Sequence, residues 1–312
     1  MAENTVVNVS PVAGDAANDP RASQTRIATA THRGRFLVGF FPQPEIRAYL
    51  EASGAPLGQV DQATLDADHA VARSHAAQLG PRVDTTITPF GRHPHLDALS
   101  AEPTFPEHAV NAVSVDIGWV DLGTLIACQP RVDMDYVEQL RRAAPAVGDT
   151  DGLLQFCLPL QGSVAAVQVV PKLNPVSNTF SWLSDNPDFR VCGPVQGSAP
   201  GTGRSVIGFS IGPGLHQMSI VSFAGKHMLN NGYHHAVALA LAGHTRIPVI
   251  IASVASPDAS PTARPGMFSP PIVFGPVPPR IADFLGPAAI DLPCNRMRLL
   301  FTVHAGVYPV PA

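Results

Sequence analysis

The sequence predicts an α+β fold, and three observations support this prediction. A helix followed by a buried strand is predicted within residues 228–254. Between about residues 153 and 223 the pattern changes to short β-runs broken by Gly and Pro. The chain contains 32 Pro but only 26 Gly, which favours rigid extended segments over flexible linkers. We therefore predict an α/β core that carries a large β-rich insert and extended proline-rich arms.

Four regions follow from these patterns. Residues 1–30 are rich in Ala, Asn, Asp and Ser, which predicts a flexible or partner-bound arm. Residues 31–110 predict a helical region that ends in a connector. Residues 111–254 predict the core, with the β-rich insert at about 153–223. Residues 255–312 predict a proline-rich extension.

Within the region 31–110, residues 35–41 predict a strand because they form a short apolar run. Residues 44–53 and 62–79 predict helices, the second from apolar positions near helical spacing. Residues 81–106 predict an extended connector.

In the core, residues 113–128 predict a strand region, and Asp133 predicts the N-cap of a helix that ends before Pro145. Residues 153–160 read as the first β-run of the insert. Further along, residues 280–285 predict a short helix and residues 297–303 a closing strand.

The turn Asn230-Asn231-Gly232-Tyr233 leads directly into a helix predicted over residues 234–242. Such a turn directs several backbone N–H groups at one point, and a helix N-terminus adds a partial positive charge. The combination predicts an anion site that is best suited to a phosphate.

The composition narrows the classes of partner. The net charge is −4 and the pI about 6.3, which argues against binding to duplex DNA, because Lys and Arg must neutralise its phosphates. Only 14% of residues are charged, and a surface so poor in charge is often covered by partner subunits, so we expect a homo-oligomer. No apolar run reaches the length that spans a bilayer, the N-terminus does not read as a secretion signal, and the four cysteines lack CxxC spacing. We expect a cytoplasmic protein without membrane partners or a metal site.

Two other clusters have two interpretations each. The histidines His93, His95 and His108 could form a metal cluster, but a polar loop is favoured because no fixed ligand spacing emerges. The acidic residues at 185–188 could form a pocket for a metal or an amine, although a turn between strands explains them better.

Two segments together resemble the ParB-like nuclease and sulfiredoxin superfamily. Gln129-Pro130-Arg131 and the following helix resemble the family's QPR turn, and the segment from Asn231 to IPVII resembles its G-x-x-R box, helix and strand. The resemblance implies a small α/β fold that cradles a phosphate or nucleotide at a helix start. It implies that the binding residues are Gln129, Arg131, Asn231, Gly232, Tyr233, His234 and His235.

The chain departs from the family at two positions of the box. His235 stands where the family has Arg, and Tyr233 stands where it has a catalytic Glu or, in sulfiredoxin, a Cys. The box therefore contains no obvious general base.

Two functional hypotheses follow. The first is a bacterial ParB-like protein that binds a nucleotide or phosphorylated small molecule. Hydrolysis of a phosphoanhydride or phosphodiester bond is its most plausible reaction, with Mg²⁺ bridging the phosphates and Arg131 stabilising the developing charge. The second is a non-catalytic structural or assembly protein that self-associates, which low charge and abundant proline favour.

Overall fold

The computed structural model describes residues 31–82, 84–102, 105, 111–160, 172–184, 189–199, 204–213, 217–295 and 299–304. The structure is α+β, so the predicted fold class is confirmed. The predicted arm at 1–30, His108 and the acidic turn at 185–188 lie outside the described residues.

The helices are α1 (Gln43–Ala52), α2 (Gln62–Gln78), α3 (Pro94–Ser100), α4 (Met134–Ala143), α5 (Thr150–Cys157), α6 (Tyr233–Leu241) and α7 (Pro270–Val273). The strands are β1 (Thr31–Phe36), β2 (Ile87–Pro89), β3 (Ala112–Asp121), β4 (Ile126–Ala127), β5 (Arg131–Asp133), β6 (Lys172–Asn174), β7 (Thr179–Ser184), β8 (Phe189–Ala199), β9 (Arg204–Pro213), β10 (Ser219–Phe223), β11 (Lys226–Asn231), β12 (Arg246–Val254), β13 (Ile290–Asn295) and β14 (Leu299–His304). Short 3₁₀ turns occupy Val38–Phe40, Leu57–Gln59, Leu122–Thr124, Pro257–Ala259, Pro261–Ala263 and Ile281–Leu285.

A six-stranded mixed sheet with the order β2-β3-β12-β10-β11-β4 forms the centre of the core. The hairpin β10–β11 leads through α6 into β12, which runs parallel to β10 and antiparallel to β3. Strand β12 is buried from Ile247 to Ala252, because a strand in the middle of a covered sheet has no solvent face. This unit agrees with the helix and buried strand that the sequence predicts.

The proline-rich segment after β12 differs from the predicted extended arm, because much of it packs on the core. Strand β13 pairs with β1 along its whole length. The backbone N–H of Phe268 donates to the Cys128 carbonyl at 2.8 Å, and the Phe268 ring lies 4.9 Å from that of Phe41. Phe268 and Phe284 are fully buried. Apolar residues spaced between the prolines bring this segment into the core.

Three further elements differ from the predictions. Residues 150–157 form α5, although residues 153–160 read as a β-run, because a short apolar run fits a buried helix as well as a strand. The predicted connector contains β2 and α3, and α3 begins with Pro94, which suits the first turn of a helix. The first strand ends at Phe36, and the predicted continuation forms the 3₁₀ turn Val38–Phe40.

The insert contributes strands to two smaller sheets. Strands β8 and β9 pair as a two-stranded ribbon, and β14 and β6 flank β7 in a three-stranded sheet. The predicted closing strand thus exists, but it pairs with the insert. In the part of the chain that the structure describes, every helix is too short or too polar to cross a membrane.

Candidate functional site

The turn that opens α6 requires glycine. Gly232 is the N-cap of α6 and has φ of +97°, in the left-handed region that other residues rarely adopt. A Cβ atom at this position would lie 2.7 Å from Cγ of Met218, which is fully buried. Because glycine carries no side chain, α6 has no side-chain N-cap, in contrast to α4, which Asp133 caps as predicted.

Tyr233 follows in the first position of α6, and its side chain is buried. Its hydroxyl donates to the Leu229 carbonyl and accepts a hydrogen bond from the Cys128 N–H at 3.2 Å. Burial raises the pKa of the Tyr233 phenol well above its ordinary value. The phenol therefore stays protonated and links two parts of the core, which is a structural role.

His234 and His235 lie in the first turn of α6 and contact different neighbours. The His234 ring meets Tyr136 of α4 edge-on, with 5.2 Å between the ring centroids. The His235 ring meets Phe156 of α5 at 5.1 Å. Successive helical residues diverge by about 100°, so the two imidazoles point in different directions, one towards α4 and one towards α5. Both remain half-buried.

Asn231 and Gln129 anchor the backbone around the turn. The Asn231 amide donates to the Gln217 carbonyl at 3.0 Å, which fixes the end of β11. The Gln129 amide group donates to the Arg131 carbonyl and so stays within its own turn. The Gln129 backbone also lies near the Tyr233 hydroxyl, close enough to offset part of the rise in its pKa that burial causes. The structure therefore brings the QPR turn and the start of α6 together through main-chain groups.

Arg131 lies elsewhere. Its guanidinium donates to the Ser53 carbonyl and lies 5.9 Å from the centroid of the Phe36 ring. Among the described residues, no contact joins this side chain to the first turn of α6. The sequence predicts that Arg131 faces the same pocket as the GYHH box, but its contacts lie elsewhere. Strand β5 pairs with β1, and this pairing directs the Arg131 side chain towards β1.

A different cation stands at the turn. Arg264, in the segment after β12, donates from Nη2 to the side-chain oxygen of Asn230 at 2.6 Å. Burial raises the pKa values of Tyr233 and Cys128, and the nearby charge of Arg264 offsets a small part of each rise. The Arg264 side chain is exposed. No sequence signal marks this residue, because 34 positions separate it from Asn230.

Of the candidate metal cluster, the two described histidines make contacts within the protein. His93 pairs with Asp151 at 3.0 Å, and His95 bonds to the Leu158 carbonyl at 2.7 Å. Within the described residues, no three His, Cys, Asp or Glu side chains are grouped so that they could hold a metal ion. Burial raises the pKa of the Cys128 thiol to about 12, which makes it a poor nucleophile.

Comparison of the chain with protein-family models, curated proteins and solved structures finds no match. The chemistry that its own residues offer at the start of α6 is anion binding. Main-chain N–H groups at a helix N-terminus, two imidazoles and an exposed guanidinium lie around one glycine turn.

Proposed function

We propose that this chain binds a phosphorylated small molecule, most simply a nucleotide, at the first turn of α6. A glycine turn that enters a nine-residue helix supports the proposal, because a helix N-terminus favours negative charge. The core is proposed to be ParB-like. In support, the QPR turn and the GYHH helix meet at the Tyr233 hydroxyl, although Cys128 and Tyr233 are 105 positions apart.

The observation that carries the proposal is the position of Arg264. Its guanidinium is anchored through Asn230 next to the turn and is otherwise exposed, which supports a phosphate site with a permanent positive charge beside it. A guanidinium can bind two phosphate oxygens at once, which an imidazole cannot. Arg264 therefore supplies the charge that the family's box arginine would supply, in a chain that has His235 at that position.

Binding without turnover is the form of the proposal that the residues favour. The position of the family's catalytic group is taken by Tyr233, whose hydroxyl is engaged in the core. Among the described residues, the groups around the turn offer amide oxygens but no carboxylate cluster, so they do not fit a dedicated Mg²⁺ site. Any magnesium would arrive bound to the nucleotide.

Isothermal titration calorimetry with ADP, ATP, CTP and inorganic phosphate tests the proposal. We expect at least one to bind, and we expect Arg264→Gln to weaken that binding about tenfold, which is the usual contribution of a charge-assisted hydrogen bond. The matched control is Arg92→Gln, which changes another exposed arginine. Equal affinities in the two variants would contradict the assignment of Arg264, and an absence of binding to all four ligands would contradict the function.

A second candidate, self-association, is favoured by a separate observation. Half of the exposed large apolar side chains among the described residues lie on or beside the sheet β14-β7-β6, with these exposed fractions: Leu173 55%, Val176 95%, Phe180 38%, Leu183 45% and Leu300 64%. Apolar surface of this kind marks interaction sites. Leu183 and Leu300 are directly opposite each other in the β-ladder, so they share one face.

Analytical ultracentrifugation tests this second candidate. An assembly that persists without nucleotide, and that Leu183→Glu with Leu300→Glu dissociates, would support it. Val71→Glu on α2 is the control, because Val71 is as exposed as Leu300 at 64%. A monomeric wild-type chain at micromolar concentration would exclude self-association.

A further inference from the structure

A small pocket lies away from the turn that opens α6, near the opposite end of that helix. It is formed by Trp119 of β3, by the loop before α5 and by the segment that enters β12. Its volume is about 160 Å³. A cavity of about 150 Å³ holds one benzene-sized ring, so this pocket has room for a single small ring.

An aromatic side chain forms one wall of the pocket. The Trp119 ring is stacked with Phe90 at 4.7 Å between centroids and 18° between planes, and this contact limits its movement. The exposed Arg246 guanidinium lies over the Trp119 ring, 5.9 Å from its centroid, so a planar ligand that stacks there takes the place of this side chain. A rigid flat wall of this kind favours a flat ligand, because aromatic rings stack with offset parallel planes.

Two polar side chains at the pocket have hydrogen-bonding capacity to spare. Among the described residues, the Arg246 guanidinium has no ion-pair or hydrogen-bond partner. His244 is only 6% exposed, and its Nε2 lies 3.0 Å from the Pro145 carbonyl oxygen. A carbonyl only accepts, so Nε2 donates to it, and in the tautomer with its proton on Nε2 the Nδ1 atom is an acceptor. Nδ1 likewise has no partner among the described residues.

The charges around the pocket are balanced. Asp149 lines it, and its carboxylate accepts the Gly152 N–H at 2.9 Å as the N-cap of α5. This carboxylate offsets the positive charge of Arg246 and of the helix N-terminus, so a small anion gains little there. A neutral ligand that offers an acceptor to Arg246 and an N–H donor to His244 would use both groups.

We propose that this pocket binds a small, neutral, planar heterocycle with an amide-type edge, of the size of a pyrimidine base. The ring stacks on Trp119, a carbonyl oxygen of the ligand accepts from Arg246, and a ring N–H donates to Nδ1 of His244. This site is separate from the proposed phosphate site, and neither requires the other.

NMR titration with free uracil tests the proposal through the indole N–H signals. The chain contains two tryptophans, and Trp182→Phe identifies the signal of Trp119. We expect uracil to shift the Trp119 signal saturably and to leave the Trp182 signal in place. Arg246→Gln should weaken this binding about tenfold, and Arg142→Gln on α4 should leave it unchanged. Arg246 is exposed, so the variant should fold, and an unchanged Trp182 signal verifies this.

Three comparisons can overturn the proposal. Toluene that binds as tightly as uracil would show an apolar cavity without polar recognition. Benzoate that binds more tightly than uracil would show an anion site. Equal affinity of the wild-type chain and Arg246→Gln for uracil, or no saturable shift with uracil at all, would remove the assigned role of the pocket. Loss of this site would leave ADP binding at α6 unaffected, so the two proposals fail separately.

Discussion

Replacement of Gly232 by alanine tests whether the turn that opens α6 is built as described. The structure predicts two costs. The first is backbone strain, because alanine at φ of +97° costs about 1–2 kcal/mol. The second is steric, because the new Cβ would lie 2.7 Å from Cγ and 3.2 Å from Cε of Met218. Met218 is fully buried, and overpacking of this kind costs about 1–3 kcal/mol.

The free energy of unfolding should therefore fall by about 2–5 kcal/mol in Gly232→Ala. Gly225→Ala is a matched control in the turn between β10 and β11. Gly225 also has positive φ, at +75°, but a Cβ there would meet nothing within 4 Å. The control should lose about 1–2 kcal/mol, from strain alone. The difference between the two variants isolates the contact with Met218.

Urea unfolding followed by circular dichroism measures both changes, provided that the dependence of stability on urea stays constant. In Met218→Ala the contact is absent, so Gly232→Ala should cost less in that background than in the wild-type chain. If Gly232→Ala and Gly225→Ala lose the same stability, the turn is looser than described and the steric argument fails.

Three further predictions concern buried polar groups. Tyr233→Phe should cost about 1–3 kcal/mol in urea unfolding, because it leaves the N–H of Cys128 and the carbonyl of Leu229 without the phenol; an unchanged stability would contradict these bonds. Burial lowers the pKa of His227, so this imidazole binds a proton more readily in the unfolded chain than in the folded one. The free energy of unfolding should therefore fall as the pH drops below about 6.5, and His227→Gln should make it less dependent on pH. Burial raises the pKa of the Cys128 and Cys157 thiols, so a thiol reagent at pH 8 should label these two residues only in denaturant. Rapid labelling of either residue in the folded chain would refute its burial.

The parts of the fold that local sequence determines could be predicted. Helix α2 was expected from its apolar spacing, and its N-cap is Asp61, whose side chain accepts from the Thr64 N–H at 3.0 Å. Strand β12 was expected from a continuous apolar run. Helix α5, which Asp149 caps, was missed because the apolar run within it fits either a strand or a helix.

The parts that depend on distant pairing could not be predicted. Arg264 reaches the turn at Asn230 because the proline-rich segment folds back onto the core. Arg131 turns away from the box because β5 pairs with β1. No local pattern encodes either arrangement, since both follow from contacts between segments that are far apart in the chain. The structure brings Cys128, next to the QPR turn, and Tyr233 of α6 into contact, whereas the position of Arg264 could only come from the structure.

The most direct test of the central claim is an NMR titration of ¹⁵N-labelled chain with ADP, read at the backbone amides. We expect the largest saturable shifts at Tyr233, His234 and His235, and we expect Arg264→Gln to bind ADP about tenfold more weakly. Saturable shifts centred elsewhere, or none at millimolar ADP, would contradict a phosphate site at the start of α6.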